Sequence, residues 1–217
     1  MLKPSLLAVA CAAALLTSLQ AGQPIAMVDN SKDKIQAVDE FPYVAGAKEL
    51  ELSFAGFGSI GTRGNDTKPD VGNVNAEVRF GVMLTTPSGD SFLRGNLELL
   101  LNAFGGYIYE GPGDYLVGAE LLLRYNFVQP DCKVVPFIQV GGGGAYSDAA
   151  DDNQTQRLIG SDLSFSLQAE IGLRYHFSRN VALTTSVLYR HISNADTADR
   201  NVGLNSLGGR IGLSLFF

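Results

Sequence analysis

The chain has 217 residues, 46% hydrophobic and 18% charged, with 25 Gly, 12 Phe, 8 Tyr and no Trp, a balance that fits one folded domain and excludes a disordered tail. A formal charge of -6, with no basic run, leaves no electrostatic drive toward phosphate backbones, so nucleic acid is excluded as a partner.

Met1-Leu2-Lys3 sets a positive charge ahead of an apolar run from Leu6 to Leu16, and Thr17-Ser18-Leu19-Gln20-Ala21 follows. Residues 1–21 therefore read as a secretory signal peptide cleaved near Ala21. Cys11 lies inside the apolar run, which continues past it, so it reads as part of the signal rather than as a lipidation site. Cys132 is then alone in the mature chain, with no partner for an internal disulfide. Residues 22–46 mix Asp, Lys, Pro and Ala with weak periodicity and read as a periplasmic N-terminal lead-in.

From residue 47 to 217 the pattern changes to eight segments that alternate apolar with polar or small residues, separated by Gly, Pro, Asn and Asp clusters. The predicted strands are 48–60, 73–86, 91–107, 114–127, 134–147, 162–177, 181–194 and 204–217. Each is long enough to cross a bilayer when tilted, which takes about 9–11 residues, whereas no apolar stretch long enough for a spanning helix remains. The sixth shows the period best: Leu163, Phe165, Leu167, Ala169, Ile171, Leu173, Tyr175 and Phe177 share one face, with Ser164, Ser166, Gln168, Glu170, Gly172 and Arg174 on the other. In the fourth, Tyr115, Tyr125 and Phe127 place aromatics at the ends of the oily face, where the girdles of an outer-membrane barrel belong.

The polar faces carry Glu51, Glu77, Glu98, Glu120 and Glu170 with Arg79, Arg94, Arg124, Arg174, Arg190 and Arg210, opposite signs that can pair inside a narrow lumen. A soluble ligand-binding barrel would invert this arrangement, with oily residues inside. Connections after the second, fourth and sixth strands read as short, and those after the first, fifth and seventh as long, which puts the short turns in the periplasm. The chain closes on Leu213-Ser214-Leu215-Phe216-Phe217, an ending that resembles the carboxy-terminal assembly signal of bacterial outer-membrane proteins. The fold expected is all-β: an eight-stranded antiparallel transmembrane β-barrel of the outer-membrane type, located in the bacterial outer membrane.

The seventh strand sets Val187, Tyr189, His191 and Ser193 on the lipid-facing side, so a base and a hydroxyl stand two residues apart near the extracellular end. A His and a Ser near a strand end also serve simply as interfacial polar residues. Arg190-His191-Ile192-Ser193-Asn194-Ala195, followed by Asn201-Val202-Gly203-Leu204-Asn205-Ser206, resembles the signature of the lipid A 3-O-deacylases called PagL, grouped with acyloxyacyl-hydrolase-like outer-membrane proteins. That resemblance implies a serine esterase in which Ser193 attacks an acyl ester of lipid A, with His191 as general base and then general acid. It also implies an oxyanion site at Asn201, with Asn194 and Gly203 as further candidates, and no cofactor or metal.

The sequence departs from the family at its catalytic acid, a Glu where this chain has Asn205. An Asn carbonyl can accept the imidazole N–H and fix its tautomer but carries no charge to stabilise the imidazolium. Asp196 and Asp199 of the same loop are the alternatives. Of the remaining candidates, His176 reads as a lumen residue, Gly141-Gly142-Gly143-Gly144 as close strand packing rather than a phosphate loop, and Asp148, Asp151 and Asp152 as a solvated acidic loop rather than a Ca²⁺ site.

The partner implied is lipid A or lipopolysaccharide of the outer leaflet, met from within the membrane, and a homo-oligomer is compatible with the sequence. Two other readings stay open: a non-catalytic small barrel of the OmpX or OmpA type with a structural or adhesive role, and acyl transfer in place of hydrolysis.

Overall fold

The computed structural model describes residues 42–217; the signal peptide expected over 1–21 and all but the last residues of the expected lead-in lie outside them. Eight antiparallel strands run in chain order: β1 (Lys48–Ile60), β2 (Gly72–Met83), β3 (Asn96–Glu110), β4 (Tyr115–Asn126), β5 (Val134–Ser147), β6 (Leu163–Ser178), β7 (Val181–Ser193) and β8 (Leu204–Phe216). Each pairs with its sequence neighbours, and β1 pairs with β8, so the sheet closes and no edge strand remains. A four-residue helix, α1 (Ala149–Asp152), sits between β5 and β6. Among the described residues no helix is long and apolar enough to cross a membrane.

Burial alternates residue by residue, because successive side chains on a strand point to opposite faces. In β6, Leu167 is 59% exposed and its neighbour Gln168 only 4%. The outer wall is apolar, with Phe54, Leu101, Leu121, Ile171, Val187 and Leu213 all exposed. A wall of that kind needs lipid rather than water around it. Stacked or edge-on aromatic pairs mark its two rims, Tyr115 with Tyr146 at one and Tyr125 with Phe127 and Tyr175 with Phe177 at the other.

The lumen is filled by charge. Arg174 pairs with Glu49 and with Glu98 (3.2 Å), and Arg124 with the same two carboxylates at 3.2 and 3.5 Å. Further along the axis Arg79 reaches Glu77 and Glu170 at 3.0 and 3.2 Å, and Arg210 reaches Glu170 and, at 3.6 Å, Glu51. Glu120 accepts hydrogen bonds from Asn102 and Ser166 at 3.0 and 2.6 Å. Arg190 instead lies over the Phe57 ring, 3.6 Å from its centroid, a cation–π contact.

Each end of this column is closed by an apolar plug. At the extracellular end Val71, Phe104, Ile108, Leu116, Ile192 and Leu204 pack with Leu158 and Ile159 of the β5–β6 loop. At the periplasmic end Tyr43, ahead of β1, packs against Met83, Val135 and Phe216. Burial raises the pKa of the Tyr43 hydroxyl above its ordinary value, so the phenol stays protonated and donates to His176 Nε2 at 2.7 Å. His176 is thus held at the periplasmic end, far in register from the seventh-strand pair.

Three details differ from expectation. The third strand begins at Asn96 rather than residue 91, because Ser91 to Arg94 fold into a turn: Arg94 N–H donates to Ser91 O (2.9 Å), and Ser88 and Gly95 exchange backbone hydrogen bonds at 3.0 and 3.1 Å. Arg94 therefore belongs to that turn and donates to Val128 O at 2.8 Å, outside the lumen network. The β2–β3 connection consequently spans residues 84–95 and is not short.

The glycine run stays within β5, where a Cβ on Gly141, Gly142 or Gly143 would fall 2.1, 2.6 or 1.9 Å from a backbone oxygen of a neighbouring strand, so close strand approach accounts for these three, while Gly144 faces open space. Asp148 Oδ1 accepts from the Asp114 and Tyr115 amides and Asp152 Oδ2 from Gly113 N–H, so these carboxylates tie down the β3–β4 turn.

Candidate active site

β7 and β8 build the site because their register sets His191 opposite Asn205. Directly paired residues on one face of an antiparallel ladder bring their β-carbons to about 4.5–5.5 Å, and these two side chains close the remaining gap. His191 Nδ1 and Asn205 Oδ1 are 2.8 Å apart. With the amide oxygen in that position, which only accepts, the bond calls for a proton on Nδ1 and would leave the Nε2 lone pair free to take one. Tyr189, two residues earlier on the same outward face, donates its hydroxyl to the same Asn205 oxygen at 2.5 Å.

Ser193 follows at the end of β7, on the outward face and paired with Phe165 of β6. Two residues of strand separate it from His191, about 6.6 Å of rise. No hydrogen bond joins Ser193 and His191 among the described residues. Immediately after Ser193 the chain turns through Ala195 (φ 52°) and Asp196 (φ 61°), two left-handed positions in succession without a glycine. Such positions cost on the order of 1 kcal/mol or more each and persist only where surrounding contacts impose them.

Those contacts are present. Asn201 Oδ1 accepts from Asn194 N–H at 2.9 Å and Asn201 Nδ2 donates to Asp196 Oδ1 at 2.7 Å. Asn194 Nδ2 donates to Arg200 O at 3.1 Å, and Thr197 caps Asn194 O at 2.7 Å. Arg200 donates in turn to the Ala150, Asn153 and Gln156 carbonyls, binding the site loop to the β5–β6 loop behind it. Gly203 completes the turn at φ 79°, and its N–H donates to Leu158 O at 3.0 Å. A Cβ on Gly203 would come within 2.7 Å of His191 Cε1, so only glycine leaves the imidazole its place.

The structure thus brings His191, Asn205 and Ser193 onto one membrane-facing patch and gathers Asn194, Asn201 and Gly203 in the loop beside it. The three oxyanion candidates hold this loop together: Asn194 lends its backbone N–H to Asn201 and is itself buried, Gly203 N–H is taken by Leu158, and Asn201 retains one amide proton without a partner among the described residues. Asp196 faces Asn201 rather than His191. Tyr189 is not among the residues singled out from the sequence; its signal is its place on the outward face, diagonal to Asn205 across the β7–β8 ladder. Among the described residues no cluster of His, Cys, Asp and Glu is arranged to hold a metal.

A closed eight-stranded barrel with an oily outer wall, a charged lumen and a polar cluster on the wall itself is a bacterial outer-membrane protein, and its polar cluster faces the membrane. A family profile described as lipid A 3-O-deacylase (PagL) matches residues 73–214, a span that takes in seven of the eight strands and the whole polar cluster. The chain belongs to that family. The crystal structure of the outer membrane enzyme PagL is similar with a TM-score of 0.54 at 20% identity, covering 75% of this chain and 97% of that one. The crystal structure of Neisserial surface protein A (NspA) gives 0.51 at 17% identity, covering 79% and 97%. At these identities the likeness is one of fold. No curated protein matches the chain.

Proposed function

We propose that the protein is an outer-membrane serine esterase that hydrolyses the ester-linked acyl chain at the 3 position of lipid A in the outer leaflet. The observation that carries this reading is the 2.8 Å contact between His191 Nδ1 and Asn205 Oδ1 on the membrane-facing wall, with a serine two residues further along the same face. An imidazole whose Nδ1 proton is engaged presents a basic Nε2, which is what a neutral serine needs to become a nucleophile.

In this mechanism Ser193 Oγ attacks the ester carbonyl carbon while its proton passes to His191 Nε2. The oxyanion takes a hydrogen bond from the remaining amide proton of Asn201, whose loss would cost on the order of 10²- to 10³-fold in rate. The tetrahedral intermediate expels the sugar oxygen, which receives the proton back from His191 and leaves as a hydroxyl. Water, deprotonated by His191, then attacks the acyl-serine, and the fatty acid departs with Ser193 restored. Ser193 must swing toward Nε2 for the first step, and catalytic contacts that are open in a substrate-free site commonly tighten when substrate binds.

A second reading has specific support: an amide replaces the family's acid, and Ser193 is not hydrogen-bonded to His191. It makes the chain a non-catalytic barrel that keeps the fold and has lost the reaction. Mass spectrometry of lipid A after incubation with the refolded, detergent-solubilised protein separates the two. Loss of one ester-linked hydroxyacyl chain with the parent protein, and at least about 10³-fold less with Ser193→Ala, is expected. Unchanged lipid A and unchanged simple esters in a verified folded preparation would overturn the esterase and leave the non-catalytic barrel.

A further inference from the structure

An asparagine can face a histidine in two ways that fit the same space, since its oxygen and nitrogen ends are nearly isosteric. Only one is productive. With Oδ1 toward Nδ1, the ring carries its proton on Nδ1 and Nε2 is a base. With Nδ2 toward Nδ1, the amide donates, the ring proton moves to Nε2, and the base is gone. A carboxylate has no such second face, so replacing an acid by an amide introduces an orientation problem in addition to removing a charge.

The structure shows a group placed to solve it. Tyr189 reaches diagonally across the β7–β8 ladder and its hydroxyl lies 2.5 Å from Asn205 Oδ1, the same atom that meets His191 Nδ1 at 2.8 Å. The oxygen has two lone pairs and accepts both protons. If the amide reversed, its Nδ2 would face both partners and the phenolic O–H would lose its acceptor on a wall surrounded by lipid. An unmade hydrogen bond of that kind biases an equilibrium by about 5- to 150-fold.

We propose that Tyr189 is a positioning residue that locks the Asn205 amide with its carbonyl toward His191, and so sets the Nδ1–H tautomer on which a neutral amide in place of the family's acid depends. The proposal deepens the esterase reading and rests on it for its catalytic consequence, but the tautomer is a property of the substrate-free protein. The competing account of Tyr189 is an interfacial aromatic whose hydroxyl takes the nearest acceptor.

The test is the protonation of the His191 ring in ¹⁵N-histidine-labelled, folded protein in detergent micelles, held at a pH where the ring is neutral, with His176 as an internal reference. The expected parent spectrum has Nδ1–H predominant at His191. Tyr189→Phe should raise the Nε2–H population at least about 5-fold and lower kcat for deacylation by a similar factor, with KM unchanged. In an Asn205→Glu background the same Tyr189→Phe change should cost under about 2-fold, because a carboxylate presents an acceptor whichever way it turns.

Nε2–H predominance in the parent would overturn the proposal without any variant, so a Tyr189→Phe protein that fails to fold does not protect it. An unchanged tautomer ratio in folded Tyr189→Phe, or an equal loss of activity in both backgrounds, would also overturn it. A protein that shows the tautomer shift yet leaves lipid A intact would retain the lock and defeat only the esterase reading.

Discussion

Replacing a carboxylate by an amide beside a catalytic histidine removes charge and introduces ambiguity, and the two losses have different sizes. In a serine protease the change costs about 10⁴-fold, largely through the wrong tautomer. Where Asn205 Oδ1 already faces Nδ1, as it does at 2.8 Å, only the charge is missing. Hydrogen bonds to charged groups exceed neutral ones by about 1 kcal/mol, so Asn205→Glu should raise kcat by roughly 5- to 10-fold. Asn205→Leu removes the acceptor altogether and should reduce deacylation to the level of Ser193→Ala, both read by release of hydroxyacyl chain. Equal activity in the three proteins would take Asn205 out of the mechanism. That His191, Ser193 and Asn205 would share the outward face was legible from the sequence, because strand parity puts all three there. Tyr189 was not, since its partner depends on which residue of β8 lies diagonal to it, and register between two strands is not written in either strand's own pattern.

At the scale of the element, the alternation of one strand fixes what each residue meets, and a slip of one position would send every side chain to the other face. In β6 the outward Leu167 pairs with His191 and the inward Gln168 with Arg190. A lipid-soluble probe should therefore modify Leu167→Cys in proteoliposomes and leave Gln168→Cys untouched, and the reverse pattern would refute the register. The same alternation made most strand limits readable to within a few residues. It failed at β3, where Phe92 and Leu93 are large apolar residues that lie in a turn, cut off from the strand by Arg94-Gly95-Asn96. They are exposed on the periplasmic rim, and a turn that meets lipid carries the same oily residues as a strand that does. Composition could not separate the two; the hydrogen bond from Arg94 N–H back to Ser91 O does.

For the whole molecule, the interior between the two apolar plugs is filled by paired charges rather than by oily side chains. Arg174 joins Glu49, Glu98 and the Asn126 side-chain oxygen while lying above the rings of Phe137 and Phe216. Removing one member leaves the other buried charges uncompensated, so Arg174→Ala should lower stability by about 3–5 kcal/mol, read as a lower urea midpoint of the heat-modifiable gel shift. A surface change such as Lys133→Ala, at an exposed position with ordinary backbone geometry, should stay within about 0.5 kcal/mol. The mixed signs on the inward faces announced that such a network exists, but not that Arg190 would also stand over Phe57 while donating to Asn73, since a ring contact across the lumen is not written in the pattern of either strand.

The position of His191 and Ser193 on the outer wall has a kinetic meaning as well. With the lumen packed and both of its ends plugged, the esterase proposed above would receive its substrate sideways, by diffusion within the leaflet. Catalyst and substrate would then share a two-dimensional solvent. The governing concentration would be the mole fraction of lipid A among its neighbours in the sheet, which does not change when the suspension is diluted with buffer and falls when inert lipid or detergent is mixed in.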